Sequence, residues 1–273
     1  MKRVMILGLG YLGQHLVKRL MPPYEVLYGS TTSSDKLVDL AKLGLVPFVF
    51  KSTETSLLQD KLLHTDVLIV CVAPKSKDKY QEAYLDLACV LREKLKQISH
   101  PLQVVYISST SVYENAKSTT EDTELHPLSE NINILVQTEK VYESLSSEYV
   151  SVLILRLAGL YGIGREIEKR VLLYEKGSIP GDPYAYTNHI HVEDVVRAVQ
   201  FLLERKSVGL FNVVNDSHPT RLDLYTNIAK KLGIASLEWQ PAQKTIHGQG
   251  RIVVNDKIKE KGFIFEYDNL EIL

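Results

Sequence analysis

VMILGLGYLGQHLVKRL, from Val4 to Leu20, runs from an apolar stretch through three glycines into an amphipathic one. Gly8, Gly10 and Gly13 stand in G-x-G-x-x-G spacing. Each has a task in such a turn. Gly8 allows the chain to reverse tightly, Gly10 presents no Cβ to an approaching diphosphate, and Gly13 lets the following helix lie close to the strand. The helix start then offers backbone N–H groups and the positive end of its dipole to phosphate oxygens. The motif carries weight because a strand precedes it and a helix follows. The stretch predicts a dinucleotide cradle formed by Gly8, Gly10, Tyr11, Leu12 and Gly13, and with it a strand–turn–helix start to an α/β fold.

Apolar runs alternate with helical patterns outward from this point. Strands are expected near 3–8, 25–29, 46–50, 67–72, 103–108 and 151–157, and helices near 11–21, 35–43, 55–63, 79–97 and 131–147. The strands are short and continuously apolar, as when both faces of a sheet are covered. Pro22-Pro23 is expected to stop the first helix, and Ser34 or Asp35 to cap the second. The alternation predicts a doubly wound parallel sheet, a Rossmann fold. After Leu157 a segment rich in Gly, Tyr and Pro runs to Asn188. Helices are then expected near 166–176, 192–205, 221–233 and 255–261, and a strand near 209–214. The expected division is a nucleotide-binding domain of 1–158 plus 188–216 and a small lobe of 159–187 plus 217–273.

The chain has 273 residues, 45% hydrophobic and 24% charged, enough for one large α/β domain with an attached lobe. Its formal charge of -1 offers no basic stripe to nucleic acid and no field for an acidic membrane. The two cysteines, Cys71 and Cys89, fall in a predicted strand and a predicted helix, which suits buried thiols in a reducing compartment. The opening MKRVMILGLG has a basic pair and an apolar run. It lacks a small-residue cleavage site, and no stretch approaches the roughly 18 apolar residues of a membrane span, so a cytoplasmic location is expected.

Six segments in order, GLGYLG, TDVLIVCVAP, VVYISSTSVYE, LRLAGLYGIGR, NHIHVEDVVRAV and VNDKIKEKGF, resemble the extended short-chain dehydrogenases/reductases, the NAD-dependent epimerase/dehydratase family. The likeness extends over nearly the whole chain, and in detail it is similar to the atypical, YeeZ-like subgroup. The resemblance implies an oxidoreductase or epimerase/dehydratase that holds a nicotinamide dinucleotide and acts on a small polar substrate such as a nucleotide sugar. It places the family's serine or threonine at Ser109. The family's Tyr-x-x-x-Lys, counted from Pro127 and Glu139, falls on Asn131 and Leu135, so both chemical groups are missing. A positioned proton-transfer group contributes about 10²–10⁴-fold to rate. Its loss opens a second reading, a dinucleotide-holding sensor without catalysis.

One Tyr-x-x-x-Lys does exist, Tyr113 to Lys117, in a polar stretch. Tyr113 is a replacement acid, a pocket wall or packing. Ser109 either bonds a substrate oxygen or satisfies a loop amide, with Thr110 and Ser111 as further donors. An acid ending strand two would bind the ribose 2′-OH and favour NAD. That place falls at Ser30, followed by Thr31, so nothing acidic there repels a 2′-phosphate and the cofactor expectation leans to NADP; Asp35 is the alternative ribose ligand. Ala73 and Pro74 follow strand four, where the family's backbone lies along the cofactor. By resemblance Tyr161 and Arg165 sit in a substrate loop, and Arg165 either clamps an anion or is a surface residue. Tyr186 and His189 are further substrate candidates, with His191 a conceivable proton donor. His189-x-His191 has no accompanying ligand cluster, so no metal is expected. Asp194 is expected to support the start of the next helix. Arg251 is expected to reach the pocket from a Gly-Gln-Gly turn, and Asn255 to cap the last helix. Apolar stripes on helices 79–97 (Tyr84, Leu87, Leu91, Leu95) and 131–147 (Ile134, Val141, Leu145) would face the sheet, a partner subunit in a homodimer, or both.

Overall fold

The computed structural model describes residues 1–20, 24–51, 56–74, 76–114, 118–175, 177–241, 250–268 and 270. The stop at Pro22-Pro23, Lys117 and most of the Gly-Gln-Gly turn lie outside these. The chain opens with β1 (Lys2–Leu7), α1 (Tyr11–Leu20), β2 (Tyr24–Thr31), α2 (Leu37–Ala41), β3 (Val46–Val49), α3 (Ser56–Leu62) and β4 (Val67–Val70). It continues with α4 (Leu87–Leu95), β5 (Leu102–Ser109), β6 (Ser118–Thr119), α5 (Glu130–Glu143), β7 (Val150–Leu157) and β8 (Gly159–Tyr161). Then come α6 (Ile167–Leu172), β9 (Ser178–Pro180), β10 (His189–His191), α7 (Val192–Glu204) and β11 (Gly209–Val213). The last elements are α8 (Arg221–Leu232), β12 (Glu238–Gln240), β13 (Ile252–Val253) and α9 (Asp256–Glu260).

The large strands and helices fall where apolar periodicity places them. α1 buries Leu12, Gly13, Leu16, Val17 and Leu20, a single helical stripe. Capping differs from expectation. Ser34 and Asp35 lie inside a short 3₁₀ turn ahead of α2, and the residue before α2, Lys36, makes no side-chain cap. Asn255 precedes α9 but spends its amide on Val214 O and Asp216. The single helix expected over 79–97 is interrupted: a π-helical stretch, Gln81–Asp86, leads into α4. The three-residue strands were not foreseen, being too short to show a period.

Seven strands form one sheet in the order β11-β7-β5-β4-β1-β2-β3. The pairs β1·β2, β1·β4, β2·β3 and β4·β5 are parallel. Strand order reverses between β1 and β4, the crevice where doubly wound sheets bind ligands beyond the carboxyl ends of their strands. Gly8 and Cys71 stand at those two ends.

Packing divides the chain into two compact units. The first comprises Met1–Val112, Pro127–Arg156 and Val196–Phe211. Its core gathers Met5, Leu7, Leu68, Val70, Val104 and Tyr106 from the sheet, with the stripe residues Leu87, Leu91 and Leu95 from α4 and Leu145 from the turn after α5. The second comprises Tyr113–His126, Leu157–Val195 and Asn212–Leu273, around Tyr161, Ile167, Val171, Ile179, Leu224 and Ile228. These limits differ from 1–158 plus 188–216. Residues 113–126 join the second unit because β6 pairs with β13 and because Tyr113 and Glu121 both bond Asn212.

Candidate functional site

In the first unit β1 delivers Gly8 with φ +103, a conformation L side chains rarely adopt. A Cβ there would lie 2.8 Å from Val72 N, against the turn from β4. At Gly13 a Cβ would lie 2.2 Å from Gly8 O, so only glycine lets α1 start this close to β1. Gly10 is the opposite case: a Cβ there meets nothing within 4 Å. The protein therefore has no packing reason for glycine at position 10, while a diphosphate against the backbone supplies one. The first helical bond runs from Gln14 N to Gly10 O, so the amides of Tyr11, Leu12 and Gly13 precede the ladder and face the turn. These residues fit the diphosphate of a dinucleotide.

The end of β2 departs from expectation. Ser30 is buried, and its Oγ accepts from Gly8 N at 3.0 Å while its carbonyl accepts from Leu9 N at 2.8 Å. Both oxygens of Ser30 thus brace the glycine turn. Thr31 Oγ1 accepts from Ser33 N at 3.2 Å, and the Ser33 hydroxyl donates to Asp35, so both belong to one organised turn after β2. Cys71 closes the other side: its thiol donates to Gly8 O at 3.1 Å. The residue is partly exposed, but the sulfur is turned inward, and burial pushes the thiol up to about 12. Ala73 is exposed and Pro74 half-buried on the irregular backbone beyond β4.

At the end of β5, Ser109 is half-buried, and its Oγ accepts from both Ser111 N (3.1 Å) and Ser111 Oγ (2.9 Å). It satisfies a loop amide and keeps its own proton for donation. Thr110 is buried and Ser111 half-buried. Asn131 lies in the first turn of α5, half-buried, and Leu135 is buried in the interior. Sequence reasoning missed the neighbouring charge network. Arg156 of β7 grips Glu139 of α5 through Nε (2.9 Å to Oε1) and Nη2 (2.6 Å to Oε2), and Ser108 donates to the same carboxylate at 2.6 Å. All three are buried. The available signal was a carboxylate in the apolar stripe of α5 and an arginine inside VLILRL.

In the second unit Tyr113 is 1% exposed, and its hydroxyl donates to Asn212 Oδ1 at 2.8 Å. Its hydroxyl proton is thus engaged by an interior side-chain amide. Tyr161 is likewise buried and is pushed up to about 12 by that burial; the His189 and His191 rings meet it edge-on. His191 stacks on Tyr267 with ring centroids 3.7 Å apart. Its Nδ1 accepts from Glu193 N at 3.3 Å. Asp194 does not merely support its own helix. Fully buried, it accepts from Glu266 N (3.0 Å) and Tyr267 N (2.9 Å), pinning the C-terminal segment. Tyr161 and His189 are therefore interior groups of this unit. Asn188 accepts from Val253 N and donates to Arg251 O, and Arg251 is buried, its guanidinium pushed down by burial and held up in part by Glu114. Arg165 stays exposed on the Gly162–Arg165 turn, and Tyr186 is exposed.

Among the described residues no helix is long and apolar enough to cross a membrane. The chain is similar to Protein YeeZ of Escherichia coli strain K12, with 29% identity over 276 residues, 98% of this chain and 97% of that protein. Among solved structures it resembles UDP-N-acetylglucosamine 4-epimerase from Methanobrevibacter ruminantium M1, with TM-score 0.83 and 18% identity over 99% of this chain and 95% of that one. It also resembles UDP-glucuronic acid 4-epimerase from Bacillus cereus, solved with UDP-glucuronic acid and NAD, with TM-score 0.80 and 20% identity over 99% of this chain and 96% of that one. Both likenesses establish the fold. Residues 4–215 match the model of the family described as NAD dependent epimerase/dehydratase, and with so much of its length matched the chain belongs to that family.

Proposed function

We propose that the chain binds a nicotinamide dinucleotide along Gly8–Gly13 and acts as an oxidoreductase or epimerase on a small polar or nucleotide-sugar substrate. The carrying observation is Gly10, a glycine with open space where its Cβ would be. The amides of Tyr11, Leu12 and Gly13 bind the diphosphate, and the backbone at Ala73 and Pro74 borders the cofactor. The bound nicotinamide supplies hydride transfer. Ser109, which accepts from Ser111, donates its hydroxyl proton toward a substrate oxygen. Thr31 at the end of β2, with Thr32 and Ser33 just after it, offers hydroxyls and no acid there, which favours NADP. The nucleotide-sugar class draws support from the solved relatives, a UDP-glucuronic acid 4-epimerase and a UDP-N-acetylglucosamine 4-epimerase.

A second reading, a dinucleotide-holding sensor, is favoured by the buried, committed hydroxyl of Tyr113 together with Asn131 and Leu135. Fluorescence titration with NADPH and NADH tests what the two readings share. The unsubstituted protein should bind NADPH at least as tightly as NADH. Gly10→Ala should weaken both roughly tenfold or more with an unchanged melting temperature, since the added methyl meets no protein atom. Unimpaired binding in that variant removes the basis of the proposal. Turnover of UDP-glucose or simple ketones, followed by epimer formation or cofactor oxidation, favours the enzyme; tight binding without turnover favours the sensor.

A further inference from the structure

Both main-chain polar groups of Gly8, one on each of the two peptides that flank it, are held by side chains, one from β2 and one from just past β4. Ser30, at the end of β2, takes the N–H at 3.0 Å, and Cys71, just past β4, donates to the C=O at 3.1 Å. Each residue adds a main-chain bond beside its side-chain bond: Leu9 N donates to Ser30 O at 2.8 Å, and Cys71 N donates to Leu7 O at 2.9 Å. Gly29 completes the frame, because a Cβ there would lie 2.4 Å from Leu9 Cδ1. Three consecutive residues, Leu7 to Leu9, are thus fixed by β2 and β4 before α1 begins.

The orientation of the two peptides flanking Gly8 decides where the next amides point. Gly8 O also sits 2.2 Å from where a Gly13 Cβ would be, so the same carbonyl that Cys71 holds sets the seat of the helix start. Ser30 occupies the place where an acid would meet the ribose, yet it is 3% exposed and turned inward. We propose that Ser30 and Cys71 are positioning residues for the diphosphate subsite, aiming the α1 amides through the two peptides flanking Gly8, and that neither selects between dinucleotides at the ribose. The inference rests on the dinucleotide reading above. The choice at the 2′ position then falls to the Thr31–Asp35 turn. The thiol remains a donor throughout the physiological range, because burial keeps it protonated.

The test is a set of dinucleotide titrations at a temperature well below melting. Ser30→Ala and Cys71→Ala should each weaken NADH and NADPH by the same factor, roughly fivefold to tenfold, the usual worth of one hydrogen bond. The NADH:NADPH affinity ratio should not move. Cys71→Ser keeps a donor and should recover most of the loss. A shifted ratio in Ser30→Ala means that Ser30 touches the ribose and overturns the inference. So does equal weakness in Cys71→Ser and Cys71→Ala, which would make the thiol a packing group, and so do unaltered affinities. Should Ser30→Ala not fold, the two Cys71 variants carry the decision. If the unsubstituted protein binds neither dinucleotide, the functional reading itself fails and this inference with it.

Discussion

At the scale of single residues, this chain separates groups that look reactive in sequence from groups that are available. Tyr113 has the right phenol and a lysine four places on, but its hydroxyl is spent on Asn212 inside the second unit. Tyr113→Phe should therefore leave dinucleotide binding and any turnover unchanged, and lower stability by about 1 kcal/mol for the lost bond to the Asn212 carbonyl. Urea denaturation beside a binding assay checks both. A large loss of turnover at unchanged stability would restore Tyr113 as an acid. Ser30 shows the reverse case. Its position was legible from the count along β2. Its partner was not, because a serine hydroxyl bonds whatever the fold brings within about 3 Å.

At the scale of elements, the long strands and helices were legible because their periodicity reports burial directly, as in the stripe of α1. How α5 is fastened was not. Its Glu139 lies between Arg156 of β7 and Ser108 of β5, tying one helix to two strands of the first unit. Removing one partner leaves a buried charge without its counterion, which costs about 3–5 kcal/mol. Arg156→Ala should fall in that range by urea denaturation. The paired change Glu139→Leu with Arg156→Met should recover a large part of it, since well-packed apolar pairs commonly replace buried ion pairs without loss. If Arg156→Ala is nearly neutral, the pair is not the fastening described. The three-residue strands β8 and β10 belong to the illegible class as well: they exist only through pairing with each other.

At the scale of the whole molecule, alkali tests the burial of proton-holding groups. Cys71 and Tyr161 are both pushed up to about 12, each chiefly by burial, from ordinary values of 9.0 and 10.0. A group whose folded value is raised stabilises the fold fully below its unfolded value and loses that contribution as pH climbs toward the folded one. The melting temperature should accordingly hold to about pH 9 and decline from there toward pH 12. In Cys71→Ser the decline should begin about one pH unit later, where the tyrosine starts to titrate. A decline with the same onset in both proteins would mean that the thiol is not buried as described.

What the chain determines by itself is whatever a local pattern can encode. The glycine spacing at Gly8, Gly10 and Gly13, the alternation of apolar strands with amphipathic helices, and the order of the family's segments are all read within short windows, and they sufficed for the fold and the glycine turn. Only the tertiary structure decided which side chains brace that turn and which are spent in the interior of their own unit. Ser30 and Gly8 are 22 positions apart, Cys71 and Gly8 63, and Tyr113 and Asn212 99. A hydrogen bond is satisfied by whichever partner packing brings into range, and at such separations that partner is set by the stacking of whole strands and helices, not by the neighbours of the residue along the chain.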